Sequence, residues 1–311
     1  MRFGIFTSMG GQTWDGVLEL WRHIEATGWD IACVTDHFMP NTQDRKGPTM
    51  EGWSTLTALA ALVPRMQVGT IVLGNTYRHP AVLAKMAAQV DIISGGRLLL
   101  GLGGGWQENE HAAYGIHFPT IGERLRMLDE ACHVMKSLWT QERSDFDGRY
   151  YQLSDAPLEP KPLQTPYPEL MIGGGGERVT LRIAAQHADH WNVWGGPNVL
   201  AHKGAILDQH CAAVGRDPSE LHRSANMALQ ITDKSSEVEA LGQMIAKRMG
   251  RHADDARDTC LAGSVQQVVD ILGKLRESGV DTLFVPTMFR PIDELRDDLD
   301  RFMADVAPQL R

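Results

Sequence analysis

The sequence predicts an α/β protein built as a closed (β/α)8 TIM barrel, and three observations carry that prediction. Short β-branched or apolar runs occur eight times with helical patterns between them. Those runs are apolar enough to be buried on both faces, as parallel strands joined by right-handed crossovers are. The length, 311 residues, suits one such barrel with insertions, so residues 1–311 read as a single domain.

The first strand is RFGIFTS from Arg2, and WDGVLELWRHIEATG follows it with apolar residues at three-to-four spacing. DIACVTD from Asp30 leads to the helix EGWSTLTALAALVP, and QVGTIVLG from Gln67 leads to AVLAKMAAQVDIIS. RLLLGLG from Arg97 is the fourth strand, with GERLRMLDEACHVMKSLWT as the helix beyond it. ELMIGG from Glu169, DHWNVWG from Asp189, ANMALQIT from Ala225 and DTLFVPT from Asp281 complete the eight, and VQQVVDILGKLRESG precedes the last.

Two intervals are too long for a bare unit. Before strand five, residues 141–168 carry five prolines and a DG turn between aromatic residues, which reads as a hairpin and an extended arm. After strand seven, residues 232–263 hold the helical patch EVEALGQMIAKRMG and the charged stretch RHADDARDTC. Long loops of a barrel often cover its site. An open doubly wound sheet is the alternative architecture, but FTSMGG after the first strand is a poor match to its glycine fingerprint.

The net charge is −9 and the lysines and arginines form no cluster, which argues against nucleic acid as a partner. Cys33, Cys132, Cys211 and Cys260 are scattered without C-x-x-C spacing, so neither a zinc cage nor a disulfide framework is indicated. No run approaches the roughly 18 apolar residues of a membrane helix, and the N-terminus enters strand alternation at once. The expectation is a cytoplasmic protein that acts on a small molecule, with no membrane partner.

In a barrel of this kind the chemistry lies at the C-terminal ends of the strands. GGGGERVT, Gly173–Thr180, leads from a strand into a helix and offers backbone N–H groups beside a positive helix terminus, a phosphate cradle in which Gly173, Gly174, Gly175 and Gly176 are joined by Arg178 and Thr180. The same run also suits a tight turn with no ligand. Gly103, Gly104, Gly105 and Trp106 end the fourth strand, either letting a flat ring lie against the backbone or making a packing turn anchored by Trp106. Asp36 and His37 end the second strand, where a histidine can relay a proton near neutral pH or the pair can simply brace a loop. His79 and His111 read as structural or peripheral. Asp36, His37, His79, His111 and His190 raise a metal question, but no H-x-H or H-E-x-x-H pattern supports one, and no metal is expected.

VTDHF (Val34–Phe38), YRHPAVLAKMAAQVDIISGGRLLLGLGGGW (Tyr77–Trp106), FPTIGERLRMLDEA (Phe118–Ala131) and MIGGGGERVTLRIAAQHADHWN (Met171–Asn192) together resemble the bacterial luciferase-like monooxygenase superfamily, and within it the oxidoreductases that depend on the deazaflavin coenzyme F420. The resemblance runs over nearly the whole chain. It implies a barrel whose cofactor ring lies over the glycines after strand four, with its phosphate at the turn after strand five. It also implies a non-prolyl cis peptide within Thr70–Leu73, which places Thr70, Ile71 and Val72 behind the ring. Asp36 and His37 would then stand at the ring edge, with His37 handling a substrate proton as hydride moves.

The chain departs from family members that oxidise glucose 6-phosphate. Those carry a tryptophan soon after D-H-F and a glutamate after the glycines, where this sequence has Asn41 and Trp106. That argues against the sugar phosphate and leaves Glu108 or Glu110 as substitutes for the missing acid. The resemblance implies hydride transfer with coenzyme F420. The alternatives are an FMN monooxygenase fed by a separate reductase, or a barrel that binds flavin without turnover. Homodimers are common in the family, and EGWSTLTALAALVP is a helix that suits such an interface or ordinary barrel packing.

Overall fold

The computed structural model describes residues 1–250 and 257–311. In chain order the strands are β1 (Arg2–Thr7), β2 (Ile31–Val34), β3 (Gln67–Thr70), β4 (Leu73–Gly74), β5 (Leu98–Gly103), β6 (Ser144–Asp147), β7 (Gln152–Ala156), β8 (Glu169–Gly173), β9 (His190–Trp194), β10 (His222–Asn226), β11 (Ala228–Ile231), β12 (Cys260–Gly263) and β13 (Thr282–Pro286). The principal helices are α1 (Trp14–Thr27), α2 (Gly52–Leu62), α3 (Pro80–Ser94), α4 (Glu108–Tyr114), α5 (Ile121–Thr140), α6 (Thr180–His187), α7 (Pro197–Ala213), α8 (Ser235–Met249), α9 (Val265–Glu277) and α10 (Ile292–Arg301).

Parallel neighbours run β2, β1, β13, β10, β9, β8 and β5, and β3 pairs with both β2 and β5, which closes an eight-stranded barrel. The third barrel strand is in two pieces. β3 and β4 are separated by a cis peptide between Ile71 and Val72, at the place the family resemblance implies. The barrel is filled by Phe6, Ile31, Cys33, Ile71, Leu99, Met171 and Phe284, so it is a packed core and not a pore. A larger apolar layer lies between strands and helices, with Trp21 and Trp191 fully buried in it.

Local chemistry sets the helix ends. Thr13 caps α1 through Gly16 N–H, and Thr120 with Glu123 forms a reciprocal capping box at the start of α5. The insertion before strand five is a hairpin, β6 against β7 antiparallel, as its DG turn predicts. The insertion after strand seven contains α8, while most of RHADDARDTC lies outside the described residues.

The seventh strand corrects the sequence reading. ANMALQIT is not one strand: the barrel strand is β10, which ends at Asn226, and Ala228–Ile231 leaves the barrel to pair in parallel with β12. β10 itself reads HRSAN and is mostly polar, so the apolar run caught only its last two residues and marked β11 instead, with no sign of the change of partner at Met227. Around β11 and β12 a separate small core forms from Ala228, Leu241, Ile245, Cys260, Ala262 and Phe289, touching the barrel mouth through Trp194 and Met288.

Candidate active site

The C-terminal mouth of the barrel gathers the side chains that carry chemistry. Beyond β2, Asp36 is buried and His37 is partly open to the mouth, its side chain 25% exposed. His37 Nδ1 lies 2.8 Å from Glu110 Oε1, which comes from the first turn of α4 and is fully buried. Glu110 also accepts the Phe38 N–H at 2.8 Å and the Tyr77 hydroxyl. Burial works against its charge, yet the hydrogen bonds from His37, Tyr77 and Phe38 hold the carboxyl below its ordinary range.

An ionised carboxylate only accepts hydrogen bonds, so Nδ1 of His37 must be the donor. The neutral imidazole then carries its lone pair on Nε2, which has no partner among the described residues. The His37 ring meets Trp106 edge-to-face, with ring centroids 5.3 Å apart, and Trp106 is 61% exposed. Of the two acids the sequence left open, Glu110 is the one that meets His37, while Glu108 is exposed.

Asp36 has a different setting. Arg78 grips it with Nη1 at 2.8 Å and Nη2 at 3.0 Å, and Gly74 N–H donates to Oδ2 at 3.1 Å. Arg78 reaches Glu51 as well, at 2.8 Å. Burial pushes the Asp36 carboxyl up while Arg78 pulls it down. Both oxygens are held, so the structure places Asp36 as a tie between the end of β2 and β4, which frames the cis peptide. Thr70 hydrogen-bonds across to Gly101, and Ile71 joins the barrel interior.

The glycines divide by what approaches them. A Cβ on Gly103 would lie 2.9 Å from Val72 Cγ2, and one on Gly173 would lie 2.8 Å from Val72 Cγ1. The close neighbour of these two glycines is therefore Val72, seated between β5 and β8. Gly105 needs its positive φ of 77°, and a side chain there would meet Thr76. Gly104 faces Leu125.

At the fifth-strand turn, Gly174 N–H donates to Asn192 O, whereas Gly175 and Gly176 N–H have no acceptor among the described residues. Thr180 opens α6, buried, with its hydroxyl against Gly176. Arg178 is exposed. The cation at this turn is Lys203 of α7, which donates to Gly175 O at 2.8 Å and pairs with Glu177 at 2.9 Å. Free N–H groups, side-chain-free backbone and a lysine suit a phosphate-bearing ligand.

Sequence reasoning did not find Arg78, Tyr77 or Lys203. The motif YRHP carried Tyr77 and Arg78 beside His79, which caps α3 by accepting from Ala81 N–H and meets the Tyr151 ring edge-to-face. Nothing local marks Lys203. His111 is buried between Gln107 O and Thr76, stacked on Tyr77, a supporting role. His190 begins β9, at the opposite end of the barrel from the mouth, bonded to Glu169.

Two glycine-rich turns and a histidine with a buried carboxylate, all on the C-terminal mouth, define a (β/α)8 barrel organised for small-molecule chemistry at that mouth. The luciferase-like monooxygenase family model matches residues 1–282, and the chain belongs to that family.

The chain is 33% identical over 219 residues to the F420-dependent glucose-6-phosphate dehydrogenase of Kineococcus radiotolerans, a match spanning 69% of this chain and 63% of that one. It thus spans under two thirds of that relative. A protein of the same name from Intrasporangium calvum is 28% identical, with 92% of each chain covered. In fold, the chain is similar to an F420-dependent secondary alcohol dehydrogenase in complex with an F420-acetone adduct, with a TM-score of 0.85, 21% identity and coverage of 100% of this chain and 99% of that one. A long-chain alkane monooxygenase shares the fold too, with a TM-score of 0.81, 15% identity and coverage of 100% and 91%.

Proposed function

We propose that the protein is an oxidoreductase that moves a hydride between coenzyme F420 and a small uncharged alcohol or carbonyl compound. The observation that carries this reading is the His37 and Glu110 pair at the mouth. Its relatives named for F420 support the choice of cofactor. The turn at Gly175 and Gly176, with Lys203, would hold the cofactor's phosphate, and Val72 would back its ring. When bound, the deazaflavin supplies a carbon that accepts or gives a hydride.

The chain's own part is the proton. His37 Nε2 takes the hydroxyl proton of an alcohol as the hydride leaves it, or returns one to a carbonyl in the reverse direction. Glu110 fixes the tautomer that makes this possible and stabilises the imidazolium that forms. Asp36 and Arg78 position the backbone beside it.

The surroundings favour an uncharged substrate. Trp106, Trp194, Phe6, Met288 and Phe289 present apolar surface near the mouth, with Phe6 and Trp194 at 5.5 Å and Trp194 and Phe289 at 5.8 Å between centroids. Arg78 and Arg290 are each neutralised by carboxylates: Asp36 with Glu51, and Asp298. Arg248 has no carboxylate partner among the described residues; it donates to Met288 O and lies 5.7 Å from the Phe289 ring.

The test is parallel fluorescence titration of the purified apoprotein with F420 and FMN, followed by turnover assays. Micromolar or tighter F420 binding with weaker FMN binding, and faster turnover of secondary alcohols than of glucose 6-phosphate, is the expected result. Tighter FMN binding would replace the cofactor assignment, and preferred turnover of glucose 6-phosphate would overturn the substrate class.

A further inference from the structure

Away from the mouth, on the outer helical layer, three potential metal ligands converge. Asp129 and His133 stand four residues apart on α5, which puts them on one face, and His187 ends α6 beside them. Their ligating atoms all lie within 4.8 Å of one another. His187 Nε2 is 2.8 Å from Asp129 Oδ1, and the His133 ring meets the His187 ring edge-to-face with centroids 4.5 Å apart.

From Asp129, His133 and His187 we infer a binding site for a divalent transition metal of the zinc or nickel type, which ties α5 to α6. The donor set is the argument. Two imidazoles and one carboxylate match borderline metals and not calcium or magnesium, which prefer all-oxygen shells. His187 and Asp129 already meet each other. His133 is left against them with no hydrogen-bond partner among the described residues, its face on Phe146 at 6.3 Å.

At metal–ligand distances of about 2.0–2.2 Å, tetrahedral ligand atoms lie about 3.3 Å apart. Rotation of the exposed His133 side chain closes the remaining gap. The fourth position faces solvent and is left to water. The site lies at the far end of α6 from the glycine turn, so its role is to brace that helix and not to take part in the reaction.

Isothermal titration of the untagged, chelator-treated protein with zinc chloride tests this, and with nickel chloride in parallel. One equivalent should bind with micromolar or tighter affinity and raise the melting temperature by several degrees. His133→Ala should weaken binding at least tenfold and abolish the metal-induced shift while the metal-free melting temperature stays unchanged. His117→Ala, on an exposed loop histidine, should bind as the wild type does. Absence of stoichiometric binding, or full binding by His133→Ala, would overturn the proposal.

Discussion

Glu110 decides what His37 can do. Its three partners are all donors, so replacing it with glutamine turns an amide N–H toward at least one of them. Glu110→Gln is expected to lower kcat about a hundredfold, the scale of a misdirected general base, while the cofactor Kd changes only a few-fold. Stopped-flow reduction of the cofactor set beside its binding curve checks both. His37→Ala should reproduce the loss in kcat with the same spared affinity. A second residue-scale expectation concerns Val72: Gly173→Ala places a methyl 2.8 Å from it and should weaken cofactor binding at least tenfold, read by the same titration. The sequence showed His37 and Asp36 because TDHF closes a strand, and it showed the two glycine runs. It showed Glu110 only as one of two acids, because the phase of a seven-residue helix, which buries one and exposes the other, is set by tertiary packing. Arg78 stayed hidden because a cation becomes informative only when its carboxylate partner, 42 residues away in sequence, is known.

At the scale of elements, the floor of the barrel is knitted by β8 and its neighbours. Glu169 accepts from His190 at 3.0 Å and Gln67 at 2.7 Å and lies 3.6 Å from Arg2. Burial pushes its carboxyl up, but His190, Arg2 and Gln67 outweigh that and bring it down to about 2. A folded-state value below the unfolded one gives stability that is present above the unfolded pKa and lost as pH falls through the folded one. The window is therefore about pH 4.5 down to about 2, and the contribution is roughly 3 kcal/mol at its upper limit. Urea midpoints measured across that range should fall for the wild type and fall less steeply for Glu169→Gln, which starts lower. Barrel strands one to six and eight, the DG hairpin and the long helices other than α7 were legible because period and turn chemistry are local. The division of ANMALQIT between β10 and β11 was not, since pairing partners are chosen by the rest of the fold.

For the whole molecule, the choice of ring is written less clearly than the architecture. An F420-dependent alcohol dehydrogenase and an alkane monooxygenase share this fold, so the architecture alone does not choose the ring. Among the described residues no helix is long and apolar enough to cross a membrane. The homodimer that the family resemblance implies is proposed here through α2, whose Leu62 is 44% exposed; light scattering should give twice the mass of one chain, and Leu62→Glu should halve it.

The unit formed by β11, α8 and β12 has its own small core beside Trp194 and Met288, while Leu229, Ile231 and Leu261 lie in the main core. Such a unit is exchangeable on one side only: the face built from Ala228, Leu241, Ile245, Cys260, Ala262 and Phe289 can be rewritten, while Leu229, Ile231 and Leu261 must keep their fit to the main core. A chimaera that takes residues 228–263 from a relative should keep its cofactor affinity while its preferred alcohols change.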